Sequence, residues 1–328
     1  MEAALTQSAA PLGLIEKTRV AAGIAAAALL LYTMGWMVAR PTDPELAVTF
    51  VRGGRAIAAT WPALAVLTVV AGIIGTVLAG RRLPEAGLLA AAVALAVLSL
   101  RGGSMQIMLA NEGATTEPAR QEFMTAMAID SLLWSGIMAV TWFAVNWSWH
   151  WIWENGGTPG TASGIAAAGA GKSVQANARR AQSAQTAAGA GWPALVITAL
   201  VGILVIWLTV GRTRVANVHR GQTIAAVAGG LYLGAMAARY FTGIRDVRWY
   251  LLAVPAIGLA AFLVGYLSAD MRWAQGIPYQ YYIYLPTTPV HDLARPLPSE
   301  YAAVGTAAAL AGYWGGDKVE QVASQETA

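Results

Sequence analysis

The residues 169–173, GAGKS, end in the Gly-Lys-Ser that closes a phosphate-binding loop. The full pattern also requires a glycine at position 166, where this chain has Ala166. Such a loop must follow a buried strand and open a packed helix, so that its N–H groups converge on phosphate. The preceding residues, TPGTASGIAA, do not form a buried strand. The sequence therefore predicts no nucleotide site.

Metal and haem chemistry requires several ligands that meet in space. The chain contains no cysteine, which excludes disulfides, thiolate catalysis and cysteine-ligated zinc or iron–sulfur clusters. His150 lies in a tryptophan-rich stretch, whereas His219 is predicted at the opposite membrane side and His291 in the tail. No HExxH or GxSxG motif occurs. We therefore expect no metal, no cofactor and no enzymatic activity.

Tryptophan occupies every second position of residues 147–153, WSWHWIW. On a helix, residues two positions apart are separated by about 200°, so the four indoles surround the whole circumference. Tryptophan is enriched where transmembrane helices meet the headgroups. The stretch is therefore interpreted as an interfacial aromatic belt and a candidate partner contact. Its members are Trp147, Trp149, Trp151 and Trp153.

Ionisable side chains in or beside apolar segments are the remaining candidates for chemistry. Arg101 lies within the third apolar segment, Arg239 has the matching place in the sixth, and Asp130 begins the fourth. Insertion of a charged side chain at the centre of the bilayer is unfavourable by about 2.5–3.5 kcal/mol, so such a side chain should not face lipid without a partner. One arrangement places these three side chains along a polar cavity that contacts an anionic solute or lipid headgroup. In the other, the helices end at Leu100 and Ala238, and both arginines extend to the interface.

The elements that must carry these residues are membrane-spanning helices. The chain has 328 residues and is 57% hydrophobic and 12% charged, whereas soluble domains contain about 25% charged residues. A bilayer core of roughly 30 Å requires about 20 apolar residues in a helix. Seven segments qualify, namely 20–38, 57–79, 86–109, 127–149, 192–210, 223–241 and 249–268. The sequence thus predicts an all-α bundle of about seven spans, because lipid offers the backbone no hydrogen-bond partner.

An internal similarity indicates a repeat. WPAL at 61–64 recurs at 192–195, and Gly-Arg at 80–81 recurs at 211–212 with the same offset. Chance in an alanine-rich chain and duplication of a three-helix unit both explain the match. Duplication would give a 1+3+3 arrangement with inverted internal repeats, because each unit has an odd number of helices.

Composition divides the chain into a cytoplasmic N-terminus (1–19), a membrane half of four helices (20–154), a flexible basic connector (155–190), a membrane half of three helices (191–270) and an extramembrane tail (271–328). In the tail, prolines flank four tyrosines in an extended segment that either lies on headgroups or docks on another protein. They are Tyr279, Tyr281, Tyr282 and Tyr284. Residues 301–314 are too short to span and are interpreted as an interfacial or packed helix.

Lysine and arginine concentrate at the ends of the apolar segments, so the formal net charge of +4 indicates membrane topology rather than nucleic-acid binding. The N-terminus, the second-to-third loop, the connector and the sixth-to-seventh loop are basic and share one side, which the positive-inside rule assigns to the cytoplasm. We expect a bacterial inner-membrane protein with its N-terminus inside and its C-terminus outside. Three arginines on the predicted outer side do not fit this orientation, because the positive-inside rule expects basic residues in the cytoplasm. They are Arg212, Arg214 and Arg220.

Two functions are consistent with these features. Few polar residues in the spans, the aromatic belt, the connector and the tail favour a non-enzymatic subunit or scaffold of a larger membrane assembly. Its partners would be the lipid bilayer and other membrane subunits. The alternative is a small secondary transporter or channel-like protein for an anionic solute, built from inverted repeats, with Arg101, Arg239 and Asp130 along its path.

Overall fold

The structure of the chain is a computed structural model, which describes residues 13–43, 45–112, 116–153, 191–210, 220–269 and 290–326. Within these ranges every regular element is a helix. The α-helices are α1 (Leu14–Ala39), α2 (Ile57–Ala79), α3 (Ala86–Ser99), α4 (Met105–Asn111), α5 (Glu117–Trp153), α6 (Trp192–Val210), α7 (Arg220–Thr242), α8 (Arg248–Leu267) and α9 (Pro298–Glu326). A π-helical segment, Leu31–Gly35, interrupts α1, and a 3-10 turn, Asp292–Ala294, precedes α9.

Six of these helices, α1, α2 and α5 to α8, are long and apolar enough to cross a membrane. They range from 19 residues in α6 to 37 in α5, and a crossing needs about 20. The prediction of an all-α, multi-pass membrane protein is confirmed at this level. The count of seven spans and the inverted repeat stay predictions.

The third predicted span is not one continuous helix. α3 has only 14 residues, or about 21 Å at 1.5 Å per residue, and the chain turns before α4. In this turn the backbone N–H of Gly103 donates to the carbonyl of Leu46 in the α1–α2 loop (3.0 Å). A side chain at Gly103 would collide with the carbonyl oxygen of Glu45, so the two loops cross where only glycine fits. The segment 86–109, which Arg101 interrupts, is therefore not one span, and α3 ends next to Leu100, as the second of the two interpretations of Arg101 predicts. Most of α3 is enclosed by protein.

The helix α9 covers α3. It packs against α3, α5, α7 and α8, and Tyr301 and Leu310 in its first half are fully buried. Gly312 permits this packing, because a side chain there would collide with the backbone of Tyr232 in α7. Of the two interpretations of residues 301–314, the packed helix is the one that the structure has.

Glycines line the crossing of α6 and α7, as expected where association in lipid depends on close backbone approach. A methyl group at Gly230 in α7 would lie 2.8 Å from the carbonyl oxygen of Gly202 in α6. One at Gly234 would lie 2.6 Å from the carbonyl oxygen of Thr198. The small-residue face of α7 is therefore used within the chain.

The bundle has two ends. The near end holds the start of α1, the α2–α3 loop, the end of α5 and the α7–α8 loop, and an ion pair between Arg82 and Glu16 joins two of these elements (2.9 Å). The far end holds the α1–α2 loop, the end of α3 and the start of α7.

The helix α9 runs parallel to α7 from the far end to the near end. Glu300, close to the start of α9, pairs with Arg220 at the start of α7 (2.9 Å). Further along, a methyl group at Gly316 would lie 2.6 Å from Cβ of Arg239, close to the end of α7. The hydroxyl of Tyr313 donates to the carbonyl of Arg245 in the α7–α8 loop (2.8 Å).

Candidate functional site

Asp130 in α5 anchors a loop inside the bundle. Its side chain is fully buried. One carboxylate oxygen accepts hydrogen bonds from the backbone N–H groups of Phe50 (2.6 Å) and Val51 (3.1 Å) in the α1–α2 loop. The other accepts from the indole N–H of Trp134, one turn further along α5 (3.1 Å). A loop that enters the bundle loses water as a partner for its N–H groups, and Asp130 provides the acceptor instead.

Arg101 lies at the far end, two residues after the end of α3. Its NH1 group donates to the carbonyl of Tyr32 (2.6 Å), and the guanidinium lies over the rings of Tyr32 (4.3 Å) and Trp36 (4.6 Å). Tyr32 belongs to the π-helical segment of α1, where the normal helical hydrogen-bond pattern changes and a carbonyl becomes accessible to a side chain. Arg101 therefore joins the turn after α3 to α1 at the bundle surface.

Arg239 has a different environment, although it matches Arg101 in the sequence. It lies within α7, which continues to Thr242, close to the end of the predicted segment 223–241 and past the end at Ala238 that one of the two interpretations gave. Arg239 is 2% exposed. Its NH1 group donates to the carbonyl of Gly243 just after the helix (2.7 Å), and its guanidinium carbon lies 5.5 Å from the ring centre of Tyr313 in α9. Arg239 thus covers the end of α7 and contacts α9.

The three predicted contact residues lie in separate places. Arg101 is at the far end, Arg239 is at the near end, and Asp130 contacts the α1–α2 loop. The carboxylate of Asp130 offers acceptors only, so it has no donor for an anion. The structure does not bring these side chains together into one cavity.

A buried ion pair at the far end was not found from the sequence. Glu300 in α9 has a side chain that is 1% exposed, and its Oε1 atom accepts from Nε of Arg220 (2.9 Å), whose side chain is 18% exposed. The Oε2 atom accepts from the backbone N–H of Leu297 (3.0 Å) and lies 3.5 Å from the hydroxyl of Thr223. The pair therefore joins the starts of α7 and α9.

The same arginine covers the end of α3. Arg220 donates to the carbonyl of Leu100 (3.2 Å) and also to the carbonyls of Ser99 and Gly102. The last carbonyls of a helix lack partners within the helix, and a cation there also interacts favourably with the helix dipole. In the sequence Arg220 was only a charge on the predicted outer side, and nothing in its local pattern indicates these partners.

Exposed indoles define a face at the near end of α5. Trp147 and Trp151, one turn apart, are 73% and 65% exposed, respectively. Trp149 and Trp153 are half-buried, and within the described residues their indole N–H groups have no hydrogen-bond partner. The four tryptophans thus divide into an outward pair and an inward pair, so the indoles do not surround the helix uniformly. We call the outward pair the tryptophan face.

His150 lies beside these residues, with its ring 5.3 Å from that of Trp149. In the part of the chain that the structure describes, no group of three or more His, Asp or Glu side chains is close enough to hold a metal ion. The GAGKS segment, the basic connector and the tyrosines Tyr279, Tyr281, Tyr282 and Tyr284 lie outside the described residues.

Comparisons with known proteins found no match to a family model, to a curated protein or to a solved structure.

Proposed function

We propose that this chain is a non-enzymatic, multi-pass subunit or scaffold of a larger membrane assembly in the bacterial inner membrane. The tryptophan face is the observation that carries the proposal. Tryptophan is among the residues most enriched in the energetic centres of protein interfaces. α5 has 37 residues, or about 55 Å at 1.5 Å per residue, which exceeds a hydrocarbon core of roughly 30 Å. The helix therefore has length to spare for contacts beyond the lipid.

The buried charged side chains support this proposal, because they have structural partners within the chain. Asp130 bonds the α1–α2 loop, the pair of Glu300 and Arg220 joins three helices, and Arg239 covers the end of α7. A transport path requires polar groups that face a cavity or a broken helix near the midplane. The turn at Gly103 lies instead at the far end, where it packs against a loop. The transporter alternative consequently has less support.

We expect the double substitution Trp147→Ala and Trp151→Ala to lower the recovery of partner subunits by at least about tenfold, because interface tryptophans often contribute about 2 kcal/mol or more each. The measurement is affinity purification of the full chain in mild detergent, with quantitative mass spectrometry and a size determination of the complex.

The matched control is Phe241→Ala, which removes another large aromatic side chain (73% exposed) at the same end of the bundle, on α7. It should leave the complex intact. Purification of the wild-type chain as a lone monomer would contradict the proposed assembly. Equal recovery from the double variant and the wild type would assign the two indoles to lipid contacts.

We also propose that the near end faces the cytoplasm, which keeps the expected N-terminus inside. The parallel course of α7 and α9 favours an end of α9 on that same side, in contrast to the outside C-terminus expected from the sequence.

The chain lacks cysteine, so single introduced cysteines report its topology. In intact cells, an impermeant maleimide should label Glu45→Cys at the far end but neither Arg82→Cys nor Ser324→Cys. Lysis should expose both. Labelling of Ser324→Cys before lysis, together with Glu45→Cys, would show that α9 does not reach the inner side.

A further inference from the structure

A groove of about 300 Å³ opens between α3, α5, α8 and α9. This volume is at the lower end of the roughly 300–1,000 Å³ of ligand pockets. Met138 and Phe143 of α5 and Leu252 and Pro255 of α8 give the groove apolar walls. Phe143 and Leu252 are also 67% and 50% exposed. The groove therefore opens sideways, toward the hydrocarbon that surrounds a membrane-spanning bundle.

A cation lies at the near end of this groove. Arg248 is the first residue of α8 and lines the groove, and its side chain is 60% exposed. Its Nε and NH2 groups donate to the carboxylate of Asp246 (2.8 and 2.5 Å). Among the described residues its NH1 group has no such partner, so N–H donors remain for a second anion.

The loop around Arg248 has a net positive charge. Hydrogen bonds from Arg248 hold the pKa of Asp246 below its usual value, so this carboxylate is ionised at neutral pH. Arg245 in the same loop is exposed, and the loop thus has two cations and one anion. Because α8 begins here and then crosses the bilayer, the loop lies at the level of lipid headgroups.

We propose that the groove binds one acyl chain of an anionic phospholipid, with the lipid phosphate held by Arg248. From Arg248 to Pro255 the groove follows α8 for about 10 Å, which accommodates the part of an acyl chain nearest the headgroup. Arginine binds phosphate through charge-assisted hydrogen bonds, and basic sites between transmembrane helices at the cytoplasmic side bind anionic headgroups. The groove supplies both the apolar wall and the cation. This proposal rests on the proposed cytoplasmic orientation of the near end, but not on whether the chain is a subunit of an assembly.

The test is native mass spectrometry of the full chain in mild detergent, with phosphatidylglycerol and phosphatidylcholine as probes. We expect the wild type to retain one phosphatidylglycerol and to bind it more tightly than phosphatidylcholine. Ala139→Phe places a ring in the groove and should abolish retention, whereas Val140→Phe changes the neighbouring residue outside the groove and should not. Arg248→Gln should weaken phosphatidylglycerol binding by about tenfold, as for the loss of a hydrogen bond to a charged group. Its affinity for phosphatidylcholine should stay the same.

The control for charge is Arg245→Gln, which removes one cation from the same loop but not from the groove, and its effect should be smaller than that of Arg248→Gln. Equal phosphatidylglycerol binding by the wild type, Ala139→Phe and Val140→Phe would overturn the proposal. So would an equal loss for the two arginine variants, which would indicate general attraction to the basic end. If Ala139→Phe instead separates a protein partner or a second copy without changing lipid binding, the groove is a protein interface.

Discussion

Alanine in place of Asp130 is expected to lower the free energy of unfolding by about 3 kcal/mol or more. The substitution leaves the N–H groups of Phe50, Val51 and Trp134 without their acceptor, and an unsatisfied buried donor costs about 1–3 kcal/mol. Equilibrium unfolding in mixed dodecyl maltoside and SDS micelles, followed by helical circular dichroism, measures the change. Limited proteolysis should show that the α1–α2 loop becomes accessible.

Two further variants distinguish the loss of the hydrogen bonds that Asp130 accepts from the loss of its negative charge. Asp130→Asn keeps one carbonyl oxygen but replaces an acceptor with a donor, so its stability should fall between those of the wild type and the alanine variant. Asp43→Ala is the matched control, because Asp43 accepts one backbone hydrogen bond from Glu45 in the exposed part of the same loop (3.0 Å). It should change stability by less than about 1 kcal/mol. Equal stabilities of the Asp130 and Asp43 alanine variants would contradict the anchoring role.

The substitution Glu300→Met removes the carboxylate and is expected to lower the free energy of unfolding by about 3–5 kcal/mol. This is the range observed when one partner of a buried ion pair is removed. The substitution leaves Arg220 partly buried beside an apolar side chain, and the N–H of Leu297 loses its acceptor. Arg220→Met should cost at least as much, because it also uncovers the last carbonyls of α3. The same unfolding measurement applies to both variants.

A double-mutant cycle isolates the coupling between the two side chains. We expect the double variant to be more stable than the sum of the single losses predicts, since it leaves neither charge buried alone. The control cycle uses Arg82 and Glu16, whose ion pair is at the surface, with the Arg82 side chain 58% exposed. Its coupling should be below about 1 kcal/mol. A coupling between Glu300 and Arg220 no larger than this control would show that the pair does not hold α7 and α9 together.

The six long apolar helices were predictable because length and hydropathy are local properties of a segment. The helix α9 was not recognised as a full-length element of the bundle, and it is not among the six helices apolar enough to cross by composition. Its first half contains Ser299, Glu300 and Thr306, all buried, together with glycines that lower hydropathy. The first half of α9 is buried because it packs closely against α7 and α3. The sequence of one segment alone does not predict this contact.

The environments of the arginines also could not be predicted from the local sequence. Arg101 and Arg239 have similar local patterns, yet α3 ends before Arg101 whereas α7 continues past Arg239. The difference comes from their neighbours, because Gly316 and Tyr313 of α9 cover Arg239. Asp130 was recognised as a candidate, but its partners are backbone groups of a loop that is distant in the sequence. The division of the tryptophans into two faces follows from the helical step of about 100° per residue, whereas which pair faces outward depends on what packs against α5.

The position of α9 has a consequence for biogenesis. Ribosomes synthesise the chain from α1 onward, so α3 must enter the membrane long before its cover exists. Until α9 is made, the neighbouring face of α3 and the carboxylate-binding side of Arg220 remain open to lipid, water or a chaperone. A chain truncated before Pro298 would lack a helix that packs against both halves of the bundle, although α8 would still contact α5. A chain without α9 therefore exposes the face of α3 that α9 covers and leaves Arg220 without the carboxylate of Glu300.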